Sequence, residues 1–466
     1  MILQLQKYKY IFSLIQLYHT DIMKSMFKNF EEKMLNKGIS KLAINIFELN
    51  FNKMIRGDSF VYKSEDINPI LETNEILDLN QKIDLNETKN LASKVAVIKL
   101  NGGLGTSMGL KGPKSQLVVK NNLNFLEITV NQIQKFNLNF STNVPLIFMN
   151  SFNTEEETFA NLEKLNFHNK IFPNSFIENK SPKIRRIESE GKISFEPAEY
   201  IADPDLEWAP PGHADVYPAL YESNLLDSLL SQGYEYVFIS NIDNLGANLN
   251  PQIIKKVFGM KSSFVMEVAK RTENDKKGGH IAFKNGKLIL RESSQVIKED
   301  ENDFQDFNKY KFFNTNSIWI KIKTLKELLN KNNGILDLPI IINIKNINPS
   351  DTTSEKVIQL ESAMGSAITL FEDAKTILVP SERFIPVKNT SNLLYLLSDL
   401  VEMDENFTLH PIKNIFIDLK NNNYKFVEGF FERFKVIPSL KNCESLIVEN
   451  DIFFNESQEF KGKVHL

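Results

Sequence analysis

The feature that most constrains the fold is a series of short, continuous apolar runs between residues 93 and 387. The runs consist mainly of Val, Ile, Leu and Phe, and polar or helix-forming stretches separate them: VAVIKL (95–100), PLIFMN (145–150), YVFIS (236–240), FVMEV (264–268), SIWIKI (317–322) and PIIINI (339–344). Apolar runs without polar alternation are typical of strands buried on both faces. The sequence therefore predicts an α/β protein with a mixed, mostly parallel central sheet flanked by helices. Function is expected at the carboxyl ends of the strands.

The segments on either side of this region have a different pattern. From residue 24 to 54 the apolar residues recur at helical spacing, which predicts two amphipathic helices. After about Leu400, short apolar triplets alternate with Asn, Lys and Glu, and this rhythm predicts stacked short strands that form a small β-helix-like domain. The chain is thus divided into an N-terminal helical segment (1–92), a main domain (93–398) and a C-terminal short-strand domain (399–466).

The first 22 residues share one feature with a targeting signal, since Lys7 and Lys9 precede an apolar stretch. That stretch is short, includes Gln16 and is followed by no small-residue cleavage site, which argues against a signal peptide. A membrane span needs about 20 apolar residues. Residues 1–22 also look unlike the chain that follows, and we hypothesise that translation begins at Met23 rather than Met1.

The bulk composition argues for a soluble protein with a large core and no polyanionic partner. Of 466 residues, 42% are hydrophobic, and 55 Lys+Arg against 59 Asp+Glu give a net charge of -4, so neither a nucleic acid nor a membrane is an expected partner. The single cysteine, Cys443, allows no internal disulfide and fits a reducing, cytoplasmic location. Six histidines without paired spacing make a histidine metal site improbable.

The run VAVIKL leads directly into the densest glycine cluster of the chain, NGGLGTSMGLKGPKS (101–115). Glycines allow positive φ angles and bring backbone N–H groups close to an anion, which is how such loops bind phosphates. Two known glycine-rich motifs do not fit. A P-loop requires G-K-[ST], and a dinucleotide fingerprint that starts at Gly103 would need glycine in place of Met108. The sequence predicts a phosphate-binding loop of another kind.

This loop resembles the nucleotide-binding signature of the eukaryotic-type UTP–glucose-1-phosphate uridylyltransferases. Further segments resemble the same family in the same order along the chain: MNSFNT (149–154), PPGHADVY (210–217), FISNIDNLGA (238–247), MEVAKRTENDKKGG (266–279), FFNTNSIW (312–319), VIQLESAMGSAI (357–368) and RFIPVKNTSNLL (383–394). The resemblance covers about residues 30–400. It implies a Rossmann-like, GT-A-like nucleotidyltransferase fold with residues 93–398 as the catalytic domain.

The resemblance also implies a reaction in which UTP and glucose 1-phosphate form UDP-glucose and pyrophosphate. Two polyanions must approach each other, so lysines and Mg²⁺ are expected to neutralise their charge. No general base is required, because a phosphate monoester with a second pKa of about 6 is already mostly a dianion at neutral pH. The expected catalysis is positioning and charge stabilisation of direct in-line attack on the UTP α-phosphorus.

The matched motifs assign candidate site residues by resemblance. Lys114 and Lys388 would be the catalytic, phosphate-binding lysines, and Asp243, three residues after an apolar run, would bind Mg²⁺. The other residues expected to bind UTP are Leu100, Asn101, Gly102, Gly103, Glu178 and Gly212. The residues expected to bind glucose 1-phosphate are His213, Asn241, Asn314, Thr315, Asn316, Asn343 and Lys345.

Two residues depart from the family pattern inside matched motifs. Glu178, in FIENKSPKI (176–184), stands where the family has a glutamine that recognises uracil, and Ala214 stands where PPGHGD is usual. An amide donates and accepts a hydrogen bond, whereas an ionised carboxylate only accepts, so it would oppose the uracil O4 unless protonated. We therefore expect UTP to remain preferred, with weaker affinity than in a Glu178→Gln variant. We expect the added methyl of Ala214 to require a different φ at that position.

Two alternatives remain open at this point. One is a pyrophosphorylase that uses UTP with another sugar 1-phosphate, such as galactose 1-phosphate or an N-acetylhexosamine phosphate. The other is a non-catalytic nucleotide-sugar binder, which the two departures suggest and which the retained Lys114, His213, Asp243 and Lys388 argue against. The sequence does not decide between a monomer and a homo-oligomer.

Overall fold

A computed structural model describes residues 25–58, 61–75, 79, 82–272, 275–276, 278–349 and 351–466. The start proposed at Met23 and the argument against a signal peptide in residues 1–22 both concern a part of the chain outside the described residues. Among the helices of the described part, none is long and apolar enough to span a membrane.

An eleven-stranded sheet forms the centre of the described chain. Its main path runs in the order β2 (Asn74–Glu75), β19 (Lys375–Leu378), β13 (Phe264–Lys270), β16 (Phe312–Lys321), β12 (Tyr236–Asn241), β3 (Val95–Asn101), β6 (Leu146–Asn150) and β7 (Ser175–Ile177). Only β16 is antiparallel to its two neighbours on this path. A side branch continues from β16 through β14 (His280–Lys284) to β15 (Lys287–Arg291) and β1 (Asn68–Pro69). The predicted mixed, mostly parallel sheet is confirmed.

The central strand β3 shows why the apolar runs are continuous. All of its seven residues are buried, because β12 and β6 flank it and apolar residues cover both faces. Val95 and Val97 belong to the hydrophobic cluster on one face, while Ala96, Ile98 and Leu100 belong to the cluster on the other. Alternate side chains of the strand thus pack into two different hydrophobic cores.

Helices cover the sheet and surround it. They are α1 (25–36), α2 (Lys41–Arg56), α3 (Leu85–Ala92), α4 (Phe125–Phe140), α5 (Glu155–Lys164), α6 (Val216–Glu222), α7 (Leu225–Ser231), α8 (Pro251–Met260), α9 (Glu301–Gln305), α10 (Ile322–Lys331), α11 (Thr390–Leu397) and α12 (Val427–Arg433). The two helices predicted from residues 24–54 are present as α1 and α2. Their buried phenylalanines, with Phe30 and Phe51 4.9 Å apart between ring centroids, pack against Ile184 and Trp208.

One of the six apolar runs does not form a buried strand. Residues 339–344 contribute β17 (Ile341–Asn346), the edge of a separate antiparallel sheet in the order β10 (Lys192–Pro197), β9 (Ile184–Ser189), β18 (Lys356–Glu361) and β17. Ile342 and Ile344 are exposed there. The interpretation as a strand buried on both faces was therefore wrong, because an apolar run does not reveal whether a second layer covers it. Smaller two-stranded pairs are β4 (Val118–Lys120) with β5 (Leu123–Asn124) and β8 (Ser181–Pro182) with β11 (Trp208–Ala209).

The C-terminal region contains the short strands expected from its rhythm. An antiparallel pair, β20 (Val401–Met403) and β21 (Leu409–Pro411), is followed by three parallel strands, β22 (Phe416–Leu419), β23 (Cys443–Val448) and β24 (Gly462–His465). The helix α12 interrupts them, which the fading helical pattern did not predict. Cys443 is buried and free, and it belongs to the same hydrophobic cluster as Val95 of the central sheet.

The domain boundaries at residues 92 and 398 stay a prediction. The segment before residue 93 is not purely helical, because β1 pairs with β14 and β2 pairs with β19 in the central sheet. The region after residue 398 also shares the hydrophobic cluster of the central sheet. Both flanking segments are therefore packed onto the sheet that they flank.

Candidate active site

A cavity of about 330 Å³ opens where β3 and β12 end. The parallel register of these strands places Asn241 opposite Leu100 and Ser240 opposite Lys99, so the loops that follow them meet at one edge. The cavity is lined by Leu100, Gly102, Gly103, Gly105, Lys114, Met149, Glu178, Pro210, Gly212, His213, Asn241, Ile242 and Asp243. This is the edge at which function was expected from the strand pattern.

The glycine-rich loop folds back on itself after β3. Gly105 has a φ of 65°, and the Lys114 N–H donates to the Gly103 carbonyl over 3.0 Å, which brings the lysine back to the start of the loop. The ring of Phe426, from the C-terminal region, packs directly on Gly109 in the space that a Cβ would fill. The loop is therefore held from inside by its own hydrogen bond and from outside by an aromatic ring.

Lys114 and Asp243 form the charged end of the cavity. The Lys114 Nζ lies 2.6 Å from the Asp243 Oδ2, and both side chains are mostly buried. The pair links the loop after β3 to the loop after β12. Among the described residues no three His, Cys, Asp or Glu side chains cluster as a metal site, and the acidic side chains that line this cavity are Asp243 and Glu178.

His213 lines the same cavity with a defined tautomer. Its Nδ1 accepts the Met364 N–H over 3.0 Å, so in the neutral ring the proton is on Nε2. Burial lowers the pKa of His213 to about 4, and the nearby Glu361 carboxylate opposes that shift only in part. The ring is therefore neutral at pH 7 and retains one N–H donor.

The backbone before His213 requires glycine. Gly212 has a φ of 89°, and a Cβ there would lie 2.6 Å from the backbone N and O of Ser362. Ala214 needs no unusual backbone conformation, because it is not among the described residues with positive φ. Its N–H donates to the Ser362 carbonyl over 3.0 Å, and its methyl is buried. The different φ considered for Ala214 from the sequence is thus not needed.

Glu178 follows β7 and lines the same cavity as the Lys114–Asp243 pair. Its carboxyl group occupies the space that a Cβ at Gly102 would need, and its Oε1 has no hydrogen-bond partner among the described residues. Burial raises the pKa of Glu178 well above its usual range, and the Asp215 and Glu361 carboxylates raise it further.

Several of the predicted site residues lie outside the cavity. Asn101 is buried, and its Nδ2 donates to Asn150 over 2.8 Å and to Thr158 over 2.9 Å, so its side chain supports the loop from the core. The Thr315 hydroxyl is also buried and donates to the Glu267 carbonyl over 2.7 Å. This bond anchors β16 to β13, and the role of Thr315 in sugar binding stays a prediction.

Four of the remaining sugar-side candidates lie on two different sheets. Asn314 and Asn316 bond to each other's side chain and backbone at a β-bulge between β13 and β16. On the separate sheet, Asn343 is half-buried, and the exposed Lys345 lies 3.4 Å from Glu361. None of these four residues lines the 330 Å³ cavity.

Lys388 also lies outside the cavity that contains Lys114. It is exposed, and its Nζ is 5.9 Å from the ring centroid of Phe384. Burial raises the pKa of the Glu292 carboxyl, and the Lys388 charge offsets only part of that rise. Glu292 was not singled out from the sequence, yet its carboxylate fills the space beside Gly279, whose carbonyl accepts the Asn314 N–H. RESSQ (291–295) has no distinctive spacing that marks Glu292.

A second residue that the sequence did not mark is Lys99. It is fully buried beneath the cavity, where its Nζ donates to the Ser240 hydroxyl and to the Ala247 carbonyl. Burial and the Arg383 charge lower the pKa of Lys99 to about 7 against the Glu267 and Asp243 charges. Because Ser240 and Ala247 enclose residues 241–246, Lys99 fixes the loop that presents Asp243.

Comparisons with known proteins give a consistent result. The family model described as UTP–glucose-1-phosphate uridylyltransferase matches residues 44–461. The chain is 41% identical over 393 residues to the UTP–glucose-1-phosphate uridylyltransferase of Musa acuminata, which covers 81% of this chain and 79% of that protein.

Solved structures agree with the sequence comparison. The UDP-glucose phosphorylase of Trypanosoma brucei superposes with a TM-score of 0.86 at 41% identity, over 95% of both chains. The UDP-glucose pyrophosphorylase of Leishmania major, solved in open and closed structures, superposes with a TM-score of 0.85 at 36% identity, over 95% of this chain and 94% of that one.

Proposed function

Since the chain belongs to the UTP–glucose-1-phosphate uridylyltransferase family, we propose that it joins UTP and glucose 1-phosphate into UDP-glucose and pyrophosphate. The observation that carries this proposal is the Lys114–Asp243 pair, which sits beside the glycine loop at the ends of two parallel strands. A cation and a carboxylate at the mouth of a phosphate-binding loop match what a nucleoside triphosphate requires.

The chemical step in this proposal is a direct displacement. An oxygen of the glucose 1-phosphate phosphate forms a bond to the UTP α-phosphorus, the bond to the β-phosphate oxygen breaks, and pyrophosphate leaves with the electron pair. The chain supplies no covalent intermediate. Lys114 stabilises the charge on the phosphates, and the neutral His213 donates its Nε2 proton in a hydrogen bond to the sugar phosphate. Leu100, Gly102, Gly103 and Gly212 line the uridine side, and Asn241 lies beside the sugar phosphate.

Mg²⁺ is part of the proposal, with Asp243 as its protein ligand. One carboxylate is enough, because Mg²⁺ is usually bound by one or two carboxylates together with phosphate oxygens and water. The place of Asp243 supports this assignment, since its carboxylate lies beside Lys114 in the cavity at the ends of two parallel strands. When bound, the ion would neutralise phosphate charge.

Lys388 is the second phosphate-binding lysine in this proposal, and it must move to reach the phosphates. It lies outside the cavity, next to Phe384 and Glu292. A relative from Leishmania major has been solved in open and closed structures. We include a closing motion that carries Lys388, with the sugar-side residues Asn314, Asn316, Asn343 and Lys345, towards the Lys114–Asp243 pair.

Two further features complete the proposal. We place the protein in the cytoplasm, which its single buried cysteine supports. We also interpret the parallel strands β22, β23 and β24 as a partial β-helix, which their short length and parallel pairing support. The oligomeric state stays open between a monomer and a homo-oligomer.

The test is an assay of purified protein with Mg²⁺ and UTP against a panel of sugar 1-phosphates, scored by pyrophosphate release. Glucose 1-phosphate is the expected preferred substrate. Preference for galactose 1-phosphate or an N-acetylhexosamine phosphate would support the alternative sugar, and no release with any sugar would support the non-catalytic binder. Lys114→Met should reduce kcat by about 100-fold or more, whereas Lys192→Met, at an exposed strand position, should not.

A further inference from the structure

Glu178 is a buried carboxyl group that lines the cavity, and no cation among the described residues forms an ion pair with it. Only 6% of the residue is exposed, and the Glu178 N–H donates to the Asn150 carbonyl over 2.8 Å, which fixes its backbone to the end of β6. The Oε1 lies against Gly102 and has no hydrogen-bond partner among the described residues. A buried polar atom that faces a cavity is expected to bond to what fills the cavity.

The charged groups around Glu178 are of the same sign as an ionised glutamate. Asp215 and Glu361 both face it, and their carboxylates raise its pKa beyond the effect of burial. Asp215 accepts the Asn179 N–H over 2.6 Å, and Glu361 is near Lys345. The cation that follows in the sequence points elsewhere, because the Lys180 Nζ lies over the rings of Phe152 and Trp208.

A second carboxyl group that lines the cavity has the opposite environment, because Asp243 lies 2.6 Å from the Lys114 Nζ. The lining thus offers an ion pair, suited to phosphates, and the Glu178 carboxyl group, which packs against Gly102. A flat, uncharged ring with hydrogen-bonding edges fits beside Glu178.

We propose that Glu178 reads the nucleobase as a neutral carboxylic acid that accepts both 4-oxo and 4-amino pyrimidines, so that the protein uses CTP as well as UTP. In uracil, the acid O–H donates to O4 and the acid carbonyl accepts the N3–H. Uridine must bind here for Glu178 to meet a base, a point that rests on the proposed function. The amide that the family has at this position makes the same two bonds with uracil.

The acid differs from an amide in one respect. Its two oxygens exchange roles when the proton moves from one to the other, whereas the amide nitrogen always donates and the amide oxygen always accepts. With the proton on the other oxygen, the acid donates to the cytosine N3 and accepts from the cytosine 4-amino group. An amide must turn over by 180° to do this. Discrimination between uracil and cytosine is therefore weaker with Glu178 than with glutamine.

The first experiment measures the KM for UTP from pH 6 to 9.5, with Mg²⁺ and saturating glucose 1-phosphate. The proteins are the wild type, Glu178→Gln and the matched control Glu372→Gln, whose carboxylate is 88% exposed. The ratio of wild-type to variant KM removes the ionisation of UTP itself. We expect this ratio to rise with pH for Glu178→Gln, by up to about tenfold per pH unit once the acid ionises, and to stay constant for the control. A constant ratio for Glu178→Gln would overturn the proposal.

The second experiment compares CTP with UTP at pH 7 by their kcat/KM values. We expect the CTP to UTP ratio to be at least about tenfold higher in the wild type than in Glu178→Gln, with ATP unused by either. Equal ratios in the two proteins would overturn the proposal. Asp215→Asn gives a second, independent variant. Loss of this neighbouring negative charge favours ionisation of Glu178, so the rise of the KM for UTP with pH should move to lower pH, and no shift would count against the proposal.

The two proposals fail separately. If neither the wild type nor the control releases pyrophosphate with UTP and any sugar 1-phosphate, the proposed function fails, and calorimetric titration of UTP and CTP across the same pH range still measures base recognition. If UTP is turned over but the pH profiles coincide, only the role of Glu178 fails. Thermal unfolding of each variant confirms that it is folded before either result is used.

Discussion

At the scale of single residues, the cavity depends on side chains whose charge state is set by burial. His213 stays neutral because burial disfavours its charged form, and the Met364 N–H assigns its remaining proton to Nε2. The same cause raises the pKa of the Glu178 carboxyl and favours its uncharged form. Lys114 and Asp243 form an ion pair. The cavity lining therefore combines an ion pair with two buried groups whose neutral forms are favoured.

The protonation state of His213 can be measured directly. Its pKa of about 4 predicts that the ring signal in an NMR titration does not change between pH 5.5 and 8. His213→Gln assigns the signal by its loss. We also expect His213→Phe to lower kcat/KM by about 10-fold to 100-fold, because it removes the hydrogen bond that we propose between the His213 Nε2–H and the sugar phosphate. His213→Gln, which retains a donor, should lose less. A titration midpoint near 6.5 would contradict the buried, neutral ring.

His280 gives a prediction about stability outside the active site. It is fully buried and stacks on Tyr310 with ring centroids 3.9 Å apart, and neither ring nitrogen makes a hydrogen bond of good geometry to a described residue. Burial and the Arg271 and Arg291 charges lower the pKa of His280 to about 2. Below about pH 6.5 this histidine binds a proton in the unfolded chain but not in the folded chain. The free energy of unfolding therefore falls as the pH drops from about 6.5 towards 2.

We expect His280→Phe to weaken this acid sensitivity. The variant should be more stable by about 1–2 kcal/mol at pH 7.5, because two unpaired polar atoms leave the core, and the gain should grow between pH 6.5 and 5. Urea unfolding at both pH values measures it. His168→Phe, at an exposed position, is the control. Parallel losses of stability in the wild type and His280→Phe would show that another group causes the acid response.

At the scale of elements, the site depends on places where two backbones approach closely. The turn at Gly212 touches the end of β18 at Ser362, and this contact joins the separate antiparallel sheet to the cavity. The loop after β3 is closed by the Lys114 N–H bond to Gly103. The positions of the functional side chains are therefore set by backbone contacts between loops as much as by the strands that precede them.

The Gly212 contact predicts a large effect for a single methyl group. Gly212→Ala should lower the free energy of unfolding by about 2–4 kcal/mol and reduce kcat/KM by at least about tenfold, because the Cβ meets the Ser362 backbone and φ is positive. Gly38→Ala is a matched control, since Gly38 has a φ of 72° but nothing within 4 Å of the Cβ position. Its cost should be only about 1 kcal/mol. Equal costs for the two variants would mean that crowding at Gly212 has no effect.

The sequence predicted those parts of the fold in which local pattern decides the outcome. Runs such as VAVIKL became central strands, because a run flanked by two other strands and covered on both faces needs no polar side. The run PIIINI did not become a buried strand. Ile342 and Ile344 are exposed at a sheet edge, and only tertiary packing determines this exposure. Asn101 shows the limit for the site: its motif lies at the cavity, but the direction of its side chain depends on Asn150 and Thr158, far along the chain.

At the scale of the whole molecule, a buried ion pair connects the sheet to the segment that carries Lys388. Glu267 of β13 and Arg383 lie 3.0 Å apart with almost no exposure, and Glu267 also accepts the Trp319 Nε1–H. The Arg383 guanidinium donates further to the Asn248 carbonyl over 2.7 Å. This network joins β13, β16, the loop after β12 and residues 380–388.

Removing one member of this pair should be more harmful than removing both. Arg383→Met should lower the free energy of unfolding by about 3–5 kcal/mol, because it leaves the Glu267 carboxylate buried without a cation. The double variant Arg383→Met with Glu267→Leu should recover part of that loss, as measured by urea unfolding. Lys287→Met, which breaks an exposed ion pair with Glu372, should cost less than about 1 kcal/mol. A double variant less stable than Arg383→Met would show that the pair itself is strongly favourable.

Phe426 of the C-terminal region packs on Gly109, so any movement of the glycine loop changes a contact with that region. A ligand that displaces the loop must change the free energy of this contact, and coupling between two sites acts equally in both directions. Nucleotide binding that moves the loop therefore changes the local stability of the chain around α12, and a change in that stability changes the affinity for the nucleotide. Sequence drift in the C-terminal region, remote from any substrate atom, can therefore alter the affinity for the nucleotide.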